Sequence, residues 1–90
     1  MEKKKFEDLF EIAKIKFSEK KFLEAKNFLI KYISQKPTLE AINLLGIIHI
    51  NLNENDNAIL LFKNLIEENY VDENIYNNIG IAFKKKKNYS

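Results

Sequence analysis

The amino-acid sequence predicts an all-α fold, a stacked solenoid of antiparallel helix pairs made from five helices. Three observations carry that expectation. Apolar residues recur three and four apart along nearly the whole chain, and no alternating strand pattern competes with them. The breaks between the periodic segments are short and contain residues suited to turns. The pattern also repeats: Gly46 and Gly80 lie 34 residues apart, while Ala25 and Ala58, and Leu29 and Phe62, lie 33 apart. A helix pair recurring at that period cannot bury its apolar face alone and stacks on its neighbours.

Each element follows from its residues. Phe6, Leu9, Phe10, Ala13 and Phe17 form the face of a first helix. Phe22, Ala25, Leu29 and Ile33 form that of a second, broadened by Phe28 and Ile30. Pro37 disfavours helical geometry in the residue before it, so the second helix should stop near Gln35. Thr38 can cap the next helix. From Leu39 to Leu52 apolar residues cover most of the circumference, which predicts a helix sandwiched between neighbours. The run from Asn51 to Asn57 reads as a turn and a capped start, with Asn53 taking the left-handed position where Gly often ends a helix. Ala58, Ile59, Phe62, Leu65 and Ile66 make a fourth face. Residues 69–73 connect it to a fifth, made by Ile75, Tyr76, Ile79, Ala82 and Phe83.

The repeat register is specific in detail. The segment Ile42-Asn43-Leu44-Leu45-Gly46-Ile47 aligns with Tyr76-Asn77-Asn78-Ile79-Gly80-Ile81, and Leu9, Ile12 and Ala13 take the places of Ile42, Leu45 and Gly46 one unit earlier. Ala13 to Ala25 and Gly46 to Ala58 are both twelve residues, so the single-residue difference falls in the turn after Pro37. Glycine inside a helix costs about 1 kcal/mol relative to alanine, so two equivalent glycines predict close helix approach at both places.

These residues resemble the tetratricopeptide repeat family. Its motif has a large residue, Leu and a small residue on the first helix, then Ala and an aromatic residue four positions on in the second, then Pro. Here Ile42, Leu45, Gly46, Ala58 and Phe62 take those places in the central unit. Leu9, Ile12, Ala13, Phe22, Ala25 and Pro37 do so in the first, and Tyr76, Ile79 and Gly80 in the third. His49, Lys20 and Tyr70 depart from the family's Tyr or Phe, turn Gly and Pro. The resemblance implies a right-handed superhelix spanning residues 1–90 as one domain, with units of about 6–38 and 39–72 and a half unit of about 73–87. It also implies a non-enzymatic scaffold or adaptor whose first helices line a concave groove.

Composition agrees with a non-catalytic role. There is no Cys and one His among 90 residues, which removes disulfides, thiolate metal sites and a His-rich metal cluster. Two Gly and one Pro leave no phosphate-cradling loop. No catalytic, metal-binding or cofactor-binding set is expected. His49 reads as a core or boundary residue facing its partner helix, and Glu54, Asp56, Glu67 and Glu68 as helix-end acids. A basic start is followed at once by acids, with no apolar run for a signal peptide or membrane span, so a cytoplasmic location is expected. All fifteen basic residues are Lys, so bidentate arginine recognition of phosphate or carboxylate is excluded. Net charge is +2, but residues 1–36 carry +4, residues 37–83 carry −6 and Lys84–Lys87 carry +4. Such asymmetry can steer association. The Lys run lacks Arg and an aromatic platform, which disfavours nucleic acid as a partner.

The expected partner is a protein or peptide. Glu40, Asn43, Ile47 and Asn51 share a stripe about 80° wide on the third helix. The matching stripes are Glu7, Phe10, Lys14 and Ser18, and Asn74, Asn77, Ile81 and Lys85. Together Phe10, Lys14, Asn43, Ile47, Asn51, Asn77, Ile81 and Lys85 form the predicted partner-binding groove. An apolar row flanked by Asn suits an extended peptide or partner helix. Some family members clamp a terminal carboxylate with Lys and Asn, but Phe10, Lys14 and Leu44 occupy those places and disfavour that mode. The third unit has one helix, whose apolar residues exceed one buried stripe. Self-association through Ile75, Tyr76, Ile79 and Phe83, as a homo-oligomer, is the alternative expectation.

Overall fold

The computed structural model describes residues 2–70 and 72–89, with side chains over 6–70 and 72–87. The side chains of the basic start, Lys3 to Lys5, lie outside the described residues. Five helices follow one another: α1 (Glu2–Ser18), α2 (Phe22–Gln35), α3 (Leu39–Asn51), α4 (Asn55–Glu67) and α5 (Glu73–Tyr89). No strand occurs among the described residues. Each helix packs on the next, and α5 also packs on α3. The five helices occupy 45 × 29 × 18 Å.

The turns explain where the helices stop. Lys20, Asn53 and Asn69 all adopt left-handed backbone geometry, with φ of 62°, 62° and 68°. In each case the following residue reaches back five positions. The amide of Lys21 donates to the Lys16 carbonyl (2.9 Å), that of Glu54 to His49 (2.8 Å) and that of Tyr70 to Leu65 (3.0 Å). This Schellman arrangement satisfies carbonyls the helix end leaves open. Thr38 caps α3 as its type and position predict, its Oγ1 accepting from the Ala41 amide at 3.2 Å.

Small residues set the helix crossings. Ala13, Ala25, Ala41, Ala58 and Ala82 are all fully buried. One core group joins Ala13, Ala25, Leu29 and Tyr32 to Ala41, Leu45 and Ile48. A second joins Ile50, Ala58, Ile59, Phe62 and Leu65 to Ile75 and Ala82. Tyr32 sits between two rings, stacked on Phe6 at 5.1 Å and on Phe10 at 5.0 Å.

The two glycines differ. A Cβ on Gly46 would lie 2.7 Å from Cε1 and 3.0 Å from Cε2 of Phe62, and closer still to Cζ. Gly46 therefore marks a close crossing of α3 with α4. Gly80 is exposed and a Cβ there meets nothing within 4 Å. The expectation of a close approach at Gly80 is thus corrected: no helix among the described residues covers the face of α5 on which it lies. The first unit solves the same crossing with another pair, Ala13 and Leu29, both fully buried in one core group.

Candidate functional site

An open groove of about 340 Å³ runs between α1 and α3. Phe10, Lys14 and Phe17 line it from α1, and Glu40, Asn43, Leu44 and Ile47 from α3. The spacing of the first set is four and three, and of the second three, one and three, so each set lies on one helical face. The aromatic stack on Tyr32 fixes the Phe10 ring from beneath. Lys14 places its ammonium 4.6 Å from the centre of the same ring and pairs with Glu11 at 2.8 Å. The Lys14 pKa is raised above its ordinary value, chiefly by the hydrogen bond with Glu11, with the charge of Glu40 across the groove adding to it. The groove thus has an apolar floor and a rim carrying one positive, one negative and one amide side chain.

Four of the eight residues expected to form the groove, Phe10, Lys14, Asn43 and Ile47, line this space together. Asn51, Asn77, Ile81 and Lys85 do not. The side-chain Nδ2 of Asn51 donates back to the Ile47 carbonyl at 3.0 Å. Asn77 and Ile81 are exposed on α5, which packs against α3. The bridge at that contact is Asn78, whose Nδ2 donates to Asn43 Oδ1 at 3.1 Å. Asn78 is 35 residues from Asn43, so a fixed shift of 34 points to its neighbour Asn77 instead. Phe17, Glu40 and Leu44 line the groove without belonging to the eight expected residues. Phe17 is seven residues after Phe10, and that spacing is the signal for it.

The residues expected to form an oligomer interface divide between core and surface. Ile75 is 1% exposed and belongs to the core shared with α4, and Ile79 packs against the same core. Tyr76 and Phe83 face outward, with about half their surface exposed. Lys86 reaches Asp56 of α4 at 2.8 Å, which ties the basic end of α5 to the start of α4.

Glu54 is more than a helix-end acid. Its side chain makes no cap hydrogen bond to α4. Instead His49 Nδ1 and Glu54 Oε1 are 2.7 Å apart, and Lys26 of α2 donates to both Glu54 oxygens at 3.1 and 3.2 Å. The pKa of Glu54 is lowered, first by the hydrogen bond with the buried His49 and then by Lys26. This cluster fastens α2 to the turn between α3 and α4. Among the described residues no three metal-binding side chains gather, and no helix is long and apolar enough to cross a membrane.

Residues 39–71 match the family model of the tetratricopeptide repeat. No curated protein and no solved structure matches the chain. The matched segment contains α3, the Gly46–Phe62 crossing, α4 and the turn after it. With α1 and α2 before it and α5 after it in the same serial packing, the match and the five-helix architecture fit a tetratricopeptide-type repeat protein.

Proposed function

We propose that this protein binds a segment of another protein in the α1–α3 groove, as a non-enzymatic interaction module. Tetratricopeptide repeats suggest protein–protein interaction, and the observation that carries the finer reading is the lining of this groove. Its volume falls in the range of ligand pockets, roughly 300–1,000 Å³. Phe10, Phe17, Leu44 and Ile47 suit one or two apolar side chains of an extended peptide or a helix. Asn43 offers an amide to a peptide backbone. Lys14 and Glu40 on opposite walls favour a ligand with an acidic group toward α1 and a basic group toward α3.

The test is a selection from a displayed peptide library on the immobilised chain, followed by titration of a selected peptide. Ile47→Glu should leave the helical circular dichroism intact and weaken that peptide at least about tenfold, since an ionised group would enter the apolar floor. Exchanging the charges at Lys14 and Glu40 should reverse the preferred order of charges in the peptide. Undiminished binding to the folded Ile47→Glu chain contradicts the groove reading.

A further inference from the structure

We propose that α5 pairs antiparallel with α5 of a second copy of this chain, crossing at Gly80. The face concerned is the one that α3 gives to α4. Ile42, Gly46 and His49 correspond at a shift of 34 to Tyr76, Gly80 and Phe83. On α3 the aromatic ring of Phe62 covers the glycine, whereas on α5 Gly80 is bare and Tyr76 and Phe83 are 47% and 48% exposed. A helix surface of this kind, with two exposed rings beside a glycine, accepts another helix at short axial distance.

The charges select which helix. Glu73 and Lys87 stand seven residues before and after Gly80, Tyr76 and Lys84 four before and after, and Asn77 and Phe83 three before and after. Offsets of three, four and seven share one helical face, and every one of these positions is exposed. A two-fold axis through Gly80 therefore sets each residue opposite its counterpart on the other chain. Glu73 meets Lys87 of the second copy at both ends, about 21 Å apart along the helix. Lys84 meets the Tyr76 ring, a cation–π geometry. Phe83 meets Asn77 and lies beside Tyr76. Antiparallel helices also oppose their dipoles favourably. A parallel pairing instead stacks Lys84–Lys87 on Lys84–Lys87. The self-complementary pattern is what a two-fold interface requires. One helix pair buries an area at the low end for specific interfaces, so the association is weak and concentration-dependent.

The proposal is independent of the groove, because none of these residues lines it. Its test is the absolute mass by light scattering after gel filtration, over a hundredfold range of concentration. The mass should rise toward two chains at the high end. Gly80→Glu places a charge at the crossing in open space, so it should keep the helical circular dichroism and stay at one chain throughout. Glu73→Lys and Lys87→Glu should each weaken self-association roughly tenfold, because each opposes like charges at both ends. Mixed together they should form a heterodimer near wild-type strength. A wild-type mass of one chain at every concentration overturns the proposal. So does a dimer that persists in folded Gly80→Glu, since another surface must then hold it. Failure of the mixed variants to associate overturns the antiparallel register.

Discussion

Replacing each glycine with alanine turns the difference between the two positions into a measurement. At Gly46 the new methyl group meets the Phe62 ring at distances that Cβ atoms do not tolerate, and Phe62 is fully buried. Overpacking of this kind costs about 1–3 kcal/mol. Alanine recovers about 0.5–1 kcal/mol of helix propensity. The net loss is then about 1–2 kcal/mol, or roughly 5–15 °C in melting temperature for a chain of this size. At Gly80 the same substitution meets nothing within 4 Å, so only the propensity gain of about 0.5–1 kcal/mol remains. Urea unfolding at low protein concentration, followed by circular dichroism, reads both. Adding Phe62→Leu to Gly46→Ala reproduces the Ala13–Leu29 pairing of the first unit, so the double variant should cost less than the sum of its parts. Two alanine variants that shift stability in the same direction refute the assignment of Gly46 to a close crossing and Gly80 to an open face.

Two further outcomes follow from the turns and the polar cluster. Lys20→Gly relieves a left-handed residue that carries about 1–2 kcal/mol of strain, offset by about 0.5–1 kcal/mol of glycine backbone entropy, so it should stabilise the chain by about 0.5–1 kcal/mol in urea titration. The Glu54 carboxylate has a folded pKa below its ordinary 4.5, so its contribution to stability is complete above that value and is lost as pH falls through the folded value. Glu54→Gln should therefore be less stable than wild type near neutral pH, and the gap should close in acid; a gap independent of pH contradicts the role given to the His49–Glu54–Lys26 cluster.

Much of the fold was legible because its determinants are local. Pro37 and Thr38 set the boundary between α2 and α3, and the stop at Gln35 and cap at Thr38 lie where those residues imply. Asn53 takes the left-handed turn for the same reason. Lys20 does so too, although its side chain gives no sign of it; the geometry is imposed by α1 and α2 folding back on each other. Within a hairpin the 33–34 residue register was sufficient, since Gly46 and Phe62 are brought together by one turn. Between hairpins it misses the α3–α5 bridge by one residue, at Asn78 rather than Asn77. Whether a first helix leaves a gap or closes on the next depends on side-chain volume at the contact. The register treats α1–α3 and α3–α5 as alike; Asn78, one residue off that register, bridges to Asn43, and residues of α1 and α3 line a groove. Similarly, Ile75 looks like surplus apolar surface on a single helical wheel. It is buried because α4 packs over that side of α5. Glu54 escaped because its partners lie five residues before it and 28 residues away on α2, spacings that no motif registers.

The most direct test of the binding site is a map of amide chemical shifts in the isotope-labelled chain as a library-selected peptide is added. The shifts should concentrate on the facing sides of α1 and α3, around Phe10, Lys14 and Phe17 and around Asn43, Leu44 and Ile47. Perturbations confined to α5, or to the outer surfaces of α2 and α4, contradict the α1–α3 groove as the site of recognition.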